Sequence, residues 1–552
     1  MKVVIAEKPS VARDLARVMG AKEVKDGYIS GNGYAFTYAF GHLVQLCTPQ
    51  AYGFHNWSIS NLPIIPEQFA LGVKKIKRDG KQMDDTGALK QLNTIKALLA
   101  QAEEIIVATD AGREGELIFR NIYYYLKSNV PFKRLWISSQ TDKAIKEGFA
   151  NLKEGVEYDS LYMSARSRSE SDWLIGINAT QALTLAAGNR GLLSLGRVQT
   201  PTLAMICSRY LENKDFKPQA FYKIQAGFEK EGIQFKATSN KIDKKEVAEE
   251  TVAKLQVGMQ ATVKNVEAKE TKEQPPLLFD LTSLQQDANK KYGYSADQTL
   301  SIAQTLYEKK VITYPRTGSR YIGEDVFEKI EELFQHLADT AQEQIAVISK
   351  NLIGAKLNKR SVDDKKVTDH HALLVTDEKP GPMPMDQQNI YNMIAKRMVE
   401  SFSEVCLKDI TTVTIDAAGV ELIAKGTVIR QYGWRLSADQ VELPDEDKNT
   451  DDQDNENAQL PKLSVEELLE VLTLELAERF TKARPIHTEA SLLKAMETSG
   501  KEIEDDEMRQ AMKDCGLGTP ATRAATIETL FQRDYIKRDK KKLIPTEKGL
   551  SV

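Results

Sequence analysis

Cysteine is scarce in this chain of 552 residues. Its four cysteines, Cys47, Cys207, Cys406 and Cys515, form no C-x-x-C pair. That excludes a zinc ribbon and a disulfide framework, and it fits reduced thiols in a cytoplasmic chain. No apolar run approaches the roughly 20 residues of a transmembrane helix. The opening Lys2-Val3-Val4-Ile5-Ala6 reads as a strand rather than a signal peptide. No G-x-x-x-x-G-K-[ST] loop is present to cradle a nucleoside triphosphate. Neither charge dominates: 75 Lys plus Arg face 79 Asp plus Glu, a net charge of -4. This argues against a protein that coats nucleic acid by charge alone, although local basic surfaces remain open. The acidic stretch from Pro444 to Asn457 reads as a solvated loop.

The length exceeds one hydrophobic core, so several domains are expected. The start reads as α/β. A buried strand, Val3 to Ala6, is broken by Glu7-Lys8-Pro9-Ser10, and Ser10 can cap a helix over Val11 to Met19. A second strand, Ile105 to Thr109, ends at Asp110-Ala111-Gly112-Arg113-Glu114-Gly115-Glu116, with a helix from about Leu117. Ligands of open α/β sheets bind at the carboxyl ends of strands. Glu7, Asp110, Glu114 and Glu116 can therefore converge. Carboxylates gathered at one point call for a cation, and oxygen-only donors suit Mg²⁺. Lys8 and Arg113 suggest a phosphate as well. The competing reading makes Asp110 and Glu114 helix caps, where carboxylates are also favourable.

Val311-Ile312-Thr313-Tyr314-Pro315-Arg316-Thr317 reads as a short β segment stopped by proline. It leaves the Tyr314 phenol at an element's end, with the permanent charge of Arg316 two residues on. A tyrosine can be a covalent nucleophile, but with a pKa of about 10 it needs a nearby cation. The plainer alternative is a packed wall residue. Thr368-Asp369-His370-His371-Ala372 places two of only six histidines together, suited to a phosphate or proton network. On the long helical stretch Tyr158 to Ala187, Arg168 and Asp172 share one face, as an ion pair or as part of a binding surface. Ser194-Leu195-Gly196-Arg197-Val198-Gln199-Thr200 can hold phosphates, or can simply start a helix. Gly518-Thr519-Pro520-Ala521-Thr522-Arg523 caps a helix, and that helix start can also hold a phosphate. Residues 216–280 and 406–444 read as one β-rich unit interrupted by a helical insertion, 281–405. From Leu460 the chain reads as helical, closing in a hairpin near Lys537 to Gly549.

In this order, these motifs resemble those of type IA DNA topoisomerases, the bacterial topoisomerase III subgroup in particular. The Glu-Lys-Pro-Ser start and the Asp110 run are similar to Toprim motifs. Ser-Leu-Gly-Arg-Val-Gln, Tyr-Pro-Arg, His-His-Ala and Gly-Thr-Pro-Ala-Thr resemble the family's later motifs. Two positions depart. Gly112 stands at the second Asp of the family's Asp-x-Asp-x-Glu, and Val375 replaces a proline. The resemblance implies an α/β Toprim domain plus mostly α domains and a β-rich hinge domain, arranged as a four-domain torus. It implies boundaries at 1–150 (Toprim), 151–215 with 445–552 (helical, lining a single-strand groove), 216–280 with 406–444 (hinge) and 281–405 (carrying the tyrosine). It implies ATP-independent cleavage of single-stranded DNA through a 5′-phosphotyrosine, strand passage and resealing, which relaxes negative supercoils and decatenates DNA. Tyr314 would be the nucleophile, Lys8, Arg316 and His370 would stabilise the phosphate, and Glu7 would manage the 3′-oxygen's proton. Glu7, Asp110 and Glu114, with Glu116, would hold Mg²⁺. Arg168, Asp172, Ser194, Gly196, Arg197, Gln199, Thr200, Thr519, Thr522 and Arg523 would contact DNA. A cytoplasmic, nucleoid-associated monomer is implied, with a helicase or a single-strand-binding protein as candidate partners and no membrane. A Toprim nuclease or primase would lack the tyrosine unit. A non-catalytic single-strand-binding protein would need neither Glu7, Lys8 nor Tyr314.

Overall fold

The structure is a computed structural model that describes residues 1–78, 81–137, 142–188, 191–368, 370–437, 456–457, 460–499 and 516–552. Asp369, Cys515 and most of the acidic stretch lie outside the described residues.

The chain begins with a seven-stranded sheet. Its strands are β1 (Lys2–Ala6), β2 (Glu23–Lys25), β3 (Tyr28–Gly31), β4 (Tyr34–Tyr38), β9 (Glu104–Ala108), β10 (Phe132–Arg134) and β11 (Lys153–Glu154), in the order β11-β10-β9-β1-β4-β3-β2. Between β4 and β9 lie two small antiparallel pairs, β5 (Val44–Leu46) with β6 (Leu71–Val73) and β7 (Lys75–Arg78) with β8 (Lys81–Asp84). β1 and β9 are almost wholly apolar because helices cover both faces of the sheet. These helices include α1 (Pro9–Val18), α2 (Thr86–Leu99), α3 (Arg113–Tyr125) and α4 (Asp142–Ala150). The register levels the strand ends: Ala6 lies opposite Ala108 on one side and Tyr38 on the other, all in parallel. The residues after β1, β4 and β9 therefore emerge together at one edge.

Two helix starts differ from expectation. α1 begins at Pro9, with Lys8 as its extended N-cap, and Ser10 does not cap it. Proline is pre-set for a first helical position. α3 begins at Arg113 rather than near Leu117, and its first turn holds Glu114 and Glu116, where the helix dipole favours carboxylates.

Next come α5 (Asp159–Ala186), roughly 42 Å long at 1.5 Å per residue, and α6 (Gln199–Asp215). A second, eight-stranded sheet comes after them. It contains β12 (Ala220–Lys230), β13 (Ile233–Ser239), β14 (Gln260–Glu273), β15 (Cys406–Ala417), β16 (Val420–Gln431), β17 (Glu456–Asn457), β18 (Leu468–Glu470) and β19 (Thr473–Phe480), with α7 (Lys245–Val252) alongside. The expectation that the chain is helical from Leu460 is corrected here for 460–480, which holds β18 and β19. β19 pairs antiparallel with β12 from Ala220↔Phe480 to Gly227↔Thr473. Its sequence alternates, with Leu474 and Leu476 packing on the sheet's core and Glu475 between them.

The inserted helices are α8 (Leu281–Tyr292), α9 (Ala296–Glu308), α10 (Glu324–Phe327), α11 (Ile330–Thr340), α12 (Glu343–Leu352) and α13 (Met385–Phe402). They pack around their own core of Phe279, Leu284, Leu306, Phe334, Ile394 and Phe402. The insertion leaves from β14 and returns through β15, which are paired neighbours up to Glu273↔Cys406. α14 (Glu489–Glu497), the helix Pro520–Gln532 and the hairpin Ile536–Asp539/Lys542–Pro545 close the chain. Among the described residues no helix is long and apolar enough to cross a membrane.

Candidate active site

Tyr314 sits where the insertion meets the first sheet. The expected β segment is reduced to a single bridge, Ile312↔Val375. Thr313 N–H donates to Leu374 O (2.9 Å), and Leu374 N–H donates to Thr313 Oγ1 (2.9 Å). Pro315 has no N–H with which to continue the ladder. The pairing sets the Tyr-Pro-Arg and His-His stretches side by side. The Tyr314 ring lies 4.6 Å from the His370 ring, and 5.3 Å from Tyr307 in an edge-on contact. From the first sheet, Lys8 Nζ stands 3.7 Å from the Tyr314 ring centre.

Lys8 Nζ also donates to Asp110 Oδ2 at 2.9 Å, and His370 Nε2 meets the same oxygen at 3.2 Å. Asp110 N–H donates to Glu7 Oε2 at 3.3 Å. Glu7, Lys8, Asp110, Tyr314 and His370 are thus one cluster. Arg316 is exposed and makes no hydrogen bond or ion pair among the described residues. Burial raises the Tyr314 pKa, against the pull of Lys8 and Arg316, so the phenol stays protonated at neutral pH. Burial also works against the Lys8 ammonium, but Asp110, Tyr314 and Glu7 together hold its pKa above the ordinary value. Burial and the facing charge of Asp110 raise Glu7. Burial opposes the Asp110 carboxylate too, yet His370 and Lys8 keep its pKa well below the usual range.

The acidic residues divide. Glu116 is taken up by arginines: it is 1% exposed, and both its oxygens face guanidinium groups. Arg120 Nε donates to Oε1 at 2.8 Å, and Arg134 Nε lies 3.2 Å from the other carboxylate oxygen. Successive helix positions differ by about 100°, so Glu116 points inward where Glu114 points out. The buried pair has a positioning role. Arg134 donates to the carbonyls of Val107 (2.9 Å), Thr109 (2.8 Å) and Asp110 (2.6 Å), which fixes the loop that carries Asp110. Glu114 turns to His42 at 2.5 Å, and this bond, with Arg168 and Arg113 nearby, lowers its pKa. Among the described residues no three His, Cys, Asp or Glu side chains gather closely enough to hold a metal ion. The facing carboxylates of Glu7 and Asp110 still suit a hard cation in donor chemistry, because their mutual repulsion is what such a cation relieves. Glu114, on the adjoining first turn of α3, is another oxygen donor at this edge, here bonded to His42.

A cationic surface adjoins this edge. Arg168 is half-buried, and its guanidinium is destabilised by burial and then by Arg197 and Arg113. Arg197, just before α6, and Arg113, at the start of α3, thus both lie near Arg168 of α5. Arg197 donates to both oxygens of Asp172 (2.8 and 3.1 Å), so Asp172 positions Arg197. The other candidates of this turn bond internally. Gln199 donates to Ser194 O and Oγ (3.1 and 3.0 Å), and Gly196 N–H donates to Thr200 Oγ1 (3.0 Å). Thr519 and Thr522 form a capping box at the start of helix Pro520–Gln532. Arg523 is corrected as a DNA contact in this structure. It is 3% exposed and donates to Leu517 O, Gly518 O and Thr282 Oγ1. It ties the C-terminal segment to the insertion.

The sequence reading missed His42, Tyr307 and Arg134. His42 comes after β4, whose end is level with those of β1 and β9, so the sheet rule that pointed to Glu7 and Asp110 also covers it. Tyr307 and Arg134 carry no comparable signal: one is a helical aromatic, the other a charge in a short strand.

A Toprim-like sheet edge set against a tyrosine on an insertion hung from two neighbouring strands is the arrangement of a single-strand-passing, type IA topoisomerase. Comparison with known proteins agrees. The Toprim domain family matches residues 2–140 and the DNA topoisomerase family matches 156–552, and the chain belongs to the latter family. DNA topoisomerase 3 of Bacillus licheniformis is 39% identical over 559 aligned positions, covering 99% of this chain and 74% of that protein. DNA topoisomerase 3 of Bacillus cereus is 41% identical over 563, with the same coverage. Full-length topoisomerase I of Thermotoga maritima shares the fold, with a TM-score of 0.67 at 22% identity, over 99% of this chain and 80% of that one.

Proposed function

We propose that Tyr314 is the nucleophile of this topoisomerase and that the sheet edge at Glu7, Lys8 and Asp110 completes its site. The observation that carries this is the lysine–tyrosine contact across the two units, with Lys8 over the ring of a half-buried phenol. A single DNA strand lies along Arg168 and Arg197 toward Tyr314. The phenolic oxygen attacks the phosphorus, and its proton passes to solvent water as the O–P bond forms. The bond from phosphorus to the 3′-oxygen breaks, and Glu7, whose raised pKa suits a proton carrier, supplies the proton of the new 3′-hydroxyl. Lys8, Arg316 and His370 surround the phosphate and stabilise its developing charge. Resealing is the reverse step. The phosphodiester's energy stays in the tyrosyl ester, so no ATP is needed.

Glu7, Asp110 and Glu114 would hold Mg²⁺, which would supply charge neutralisation between the carboxylates and a hold on the strand's phosphate. With the insertion as the moving part, the enzyme relaxes negative supercoils and decatenates DNA as a monomer. A helicase or a single-strand-binding protein would supply the single-stranded DNA.

The test is covalent capture. A labelled single-stranded oligonucleotide is mixed with the protein, quenched with denaturant and resolved on a denaturing gel. The wild type leaves labelled DNA on the protein, and Tyr314→Phe leaves none. An adduct that persists in Tyr314→Phe, or that never forms in the wild type with or without Mg²⁺, overturns the assignment.

A further inference from the structure

The β7–β8 ribbon takes no part in the site described so far. It pairs with no other sheet, and its register is Lys75↔Asp84, Ile76↔Met83 and Lys77↔Gln82. Lys75, Lys77 and Arg78 lie along its first strand and Lys74 just before it, and none makes a side-chain hydrogen bond or ion pair among the described residues. Of the nearby carboxylates among the described residues, Asp84 lies across from Lys75, and Asp85 is spent capping α2 through Gly87 and Ala88 N–H. The cross-strand pair Ile76 and Met83 is left 36% and 45% exposed. Charges on an isolated edge are often there to block strand pairing. Lys75 and Lys77 share one face of the ribbon, and Ile76, Met83 and Arg78 share the other; edge protection does not call for an exposed apolar pair on that second face.

The ribbon's root is next to the chemistry. Lys74 N–H donates to Leu43 O at 2.9 Å, and Asp85 N–H donates to Lys74 O at 2.8 Å. Leu43 adjoins His42, the partner of Glu114.

We infer that this ribbon is a docking arm for double-stranded DNA, holding the duplex that flanks the single-stranded segment being cut; the placement of the duplex rests on the function proposed above. Unpaired cations match the phosphate backbone. A two-stranded ribbon fits a DNA groove, and an apolar pair at its surface can press against base edges or steps. In a chain with a net charge of -4, such a patch is where duplex affinity can reside.

The experiment measures binding of a blunt duplex of about two helical turns across a salt series, for the wild type and for Lys75→Gln/Lys77→Gln/Arg78→Gln. The slope of log affinity against log salt should become shallower by roughly 2 to 3, near 0.9 per lost phosphate contact. Duplex affinity should fall at least tenfold, and single-strand adduct yield should not change. A second variant, Ile76→Ser/Met83→Ser, should weaken duplex binding without changing the slope. If the duplex slope is the same in the triple variant and the wild type, the inference is overturned, and an acidic protein surface becomes the better occupant. Equal losses on duplex and single strand overturn it as well. Failure of the tyrosine assignment would appear separately, as a wild type that forms no adduct while the duplex slopes still differ.

Discussion

Lys8 and His370, from two units of the fold, meet on one oxygen of Asp110, and that oxygen sets much of the site's electrostatics. Asp110's depressed pKa means its contribution to stability is present above about pH 4 and is lost as pH falls below that. Tyr314 titrates in the other direction. Its pKa is raised, so it is a neutral phenol at pH 7, and rising pH increases the reactive phenolate. Lys8 is the main group that opposes this rise. Lys8→Gln should therefore cut the adduct-forming rate by about 10² to 10³ at neutral pH, with single-strand affinity little changed. The deficit should narrow as pH rises toward 10. A deficit constant across pH would mean that Lys8 acts on the phosphate alone. Most of this cluster was legible in the sequence, because strand ends and a Tyr-Pro-Arg stretch announce themselves. What was not legible was rotation about a helix. Glu114 and Glu116 are equivalent as letters, and only packing shows which faces Arg134. Arg523 misled for the same reason: an arginine beside a helix start reads as a phosphate ligand until its burial is known.

Among the elements, the turn between β9 and α3 is the most constrained. A Cβ placed on Gly115 would lie 2.1 Å from Asp110 O, a backbone atom that cannot turn aside. Thr109 Oγ1 also donates to Gly115 O at 2.8 Å. Gly115→Ala should destabilise the protein by about 1–3 kcal/mol and displace Asp110. Thermal unfolding and adduct yield should fall together, and a variant with unchanged melting and activity would refute this account. The first sheet was readable because continuous apolar strands leave little choice. β19 was not: Leu-Glu-Leu-Ala-Glu fits a helical period over so few residues, and only its partner β12, more than 240 positions earlier, makes it a strand. β14 to β16, long and alternating, could be read without their partners.

At the scale of the whole molecule, the insertion is held on two sides. Toward the first sheet it is held by Tyr314 with Lys8 and by His370 with Asp110. Toward the C-terminal segment it is held by Thr282 with Arg523 (2.9 Å), by Arg320 with Glu497 (3.5 Å) and by Glu489, which accepts from Ala296 N–H (2.7 Å). Thr282→Val would leave a buried guanidinium short of a partner, costing about 1–3 kcal/mol. Hydrogen exchange across Leu281–Tyr292 should then quicken while the single-strand adduct still forms. Unchanged exchange would show that this contact does not hold the insertion. The sequence order had suggested an inserted unit, but which of its surfaces are glued, and by which residues, depends on contacts between segments more than 170 positions apart.

The stem of that insertion has a consequence for accuracy. β14 and β15 leave and re-enter side by side, and Glu273 at their end is clamped by Arg435 (2.7 and 2.8 Å) and Lys408 (2.6 Å). A body hung from two neighbouring strands is constrained like a door on a single pin: any movement at that stem would follow one arc, with little freedom to slide. On the proposed function, a tyrosine carrying one broken end of DNA along that arc would come back to the place it left. Whether the two ends meet again is then decided far from the chemistry, by the stiffness of a pair of strands.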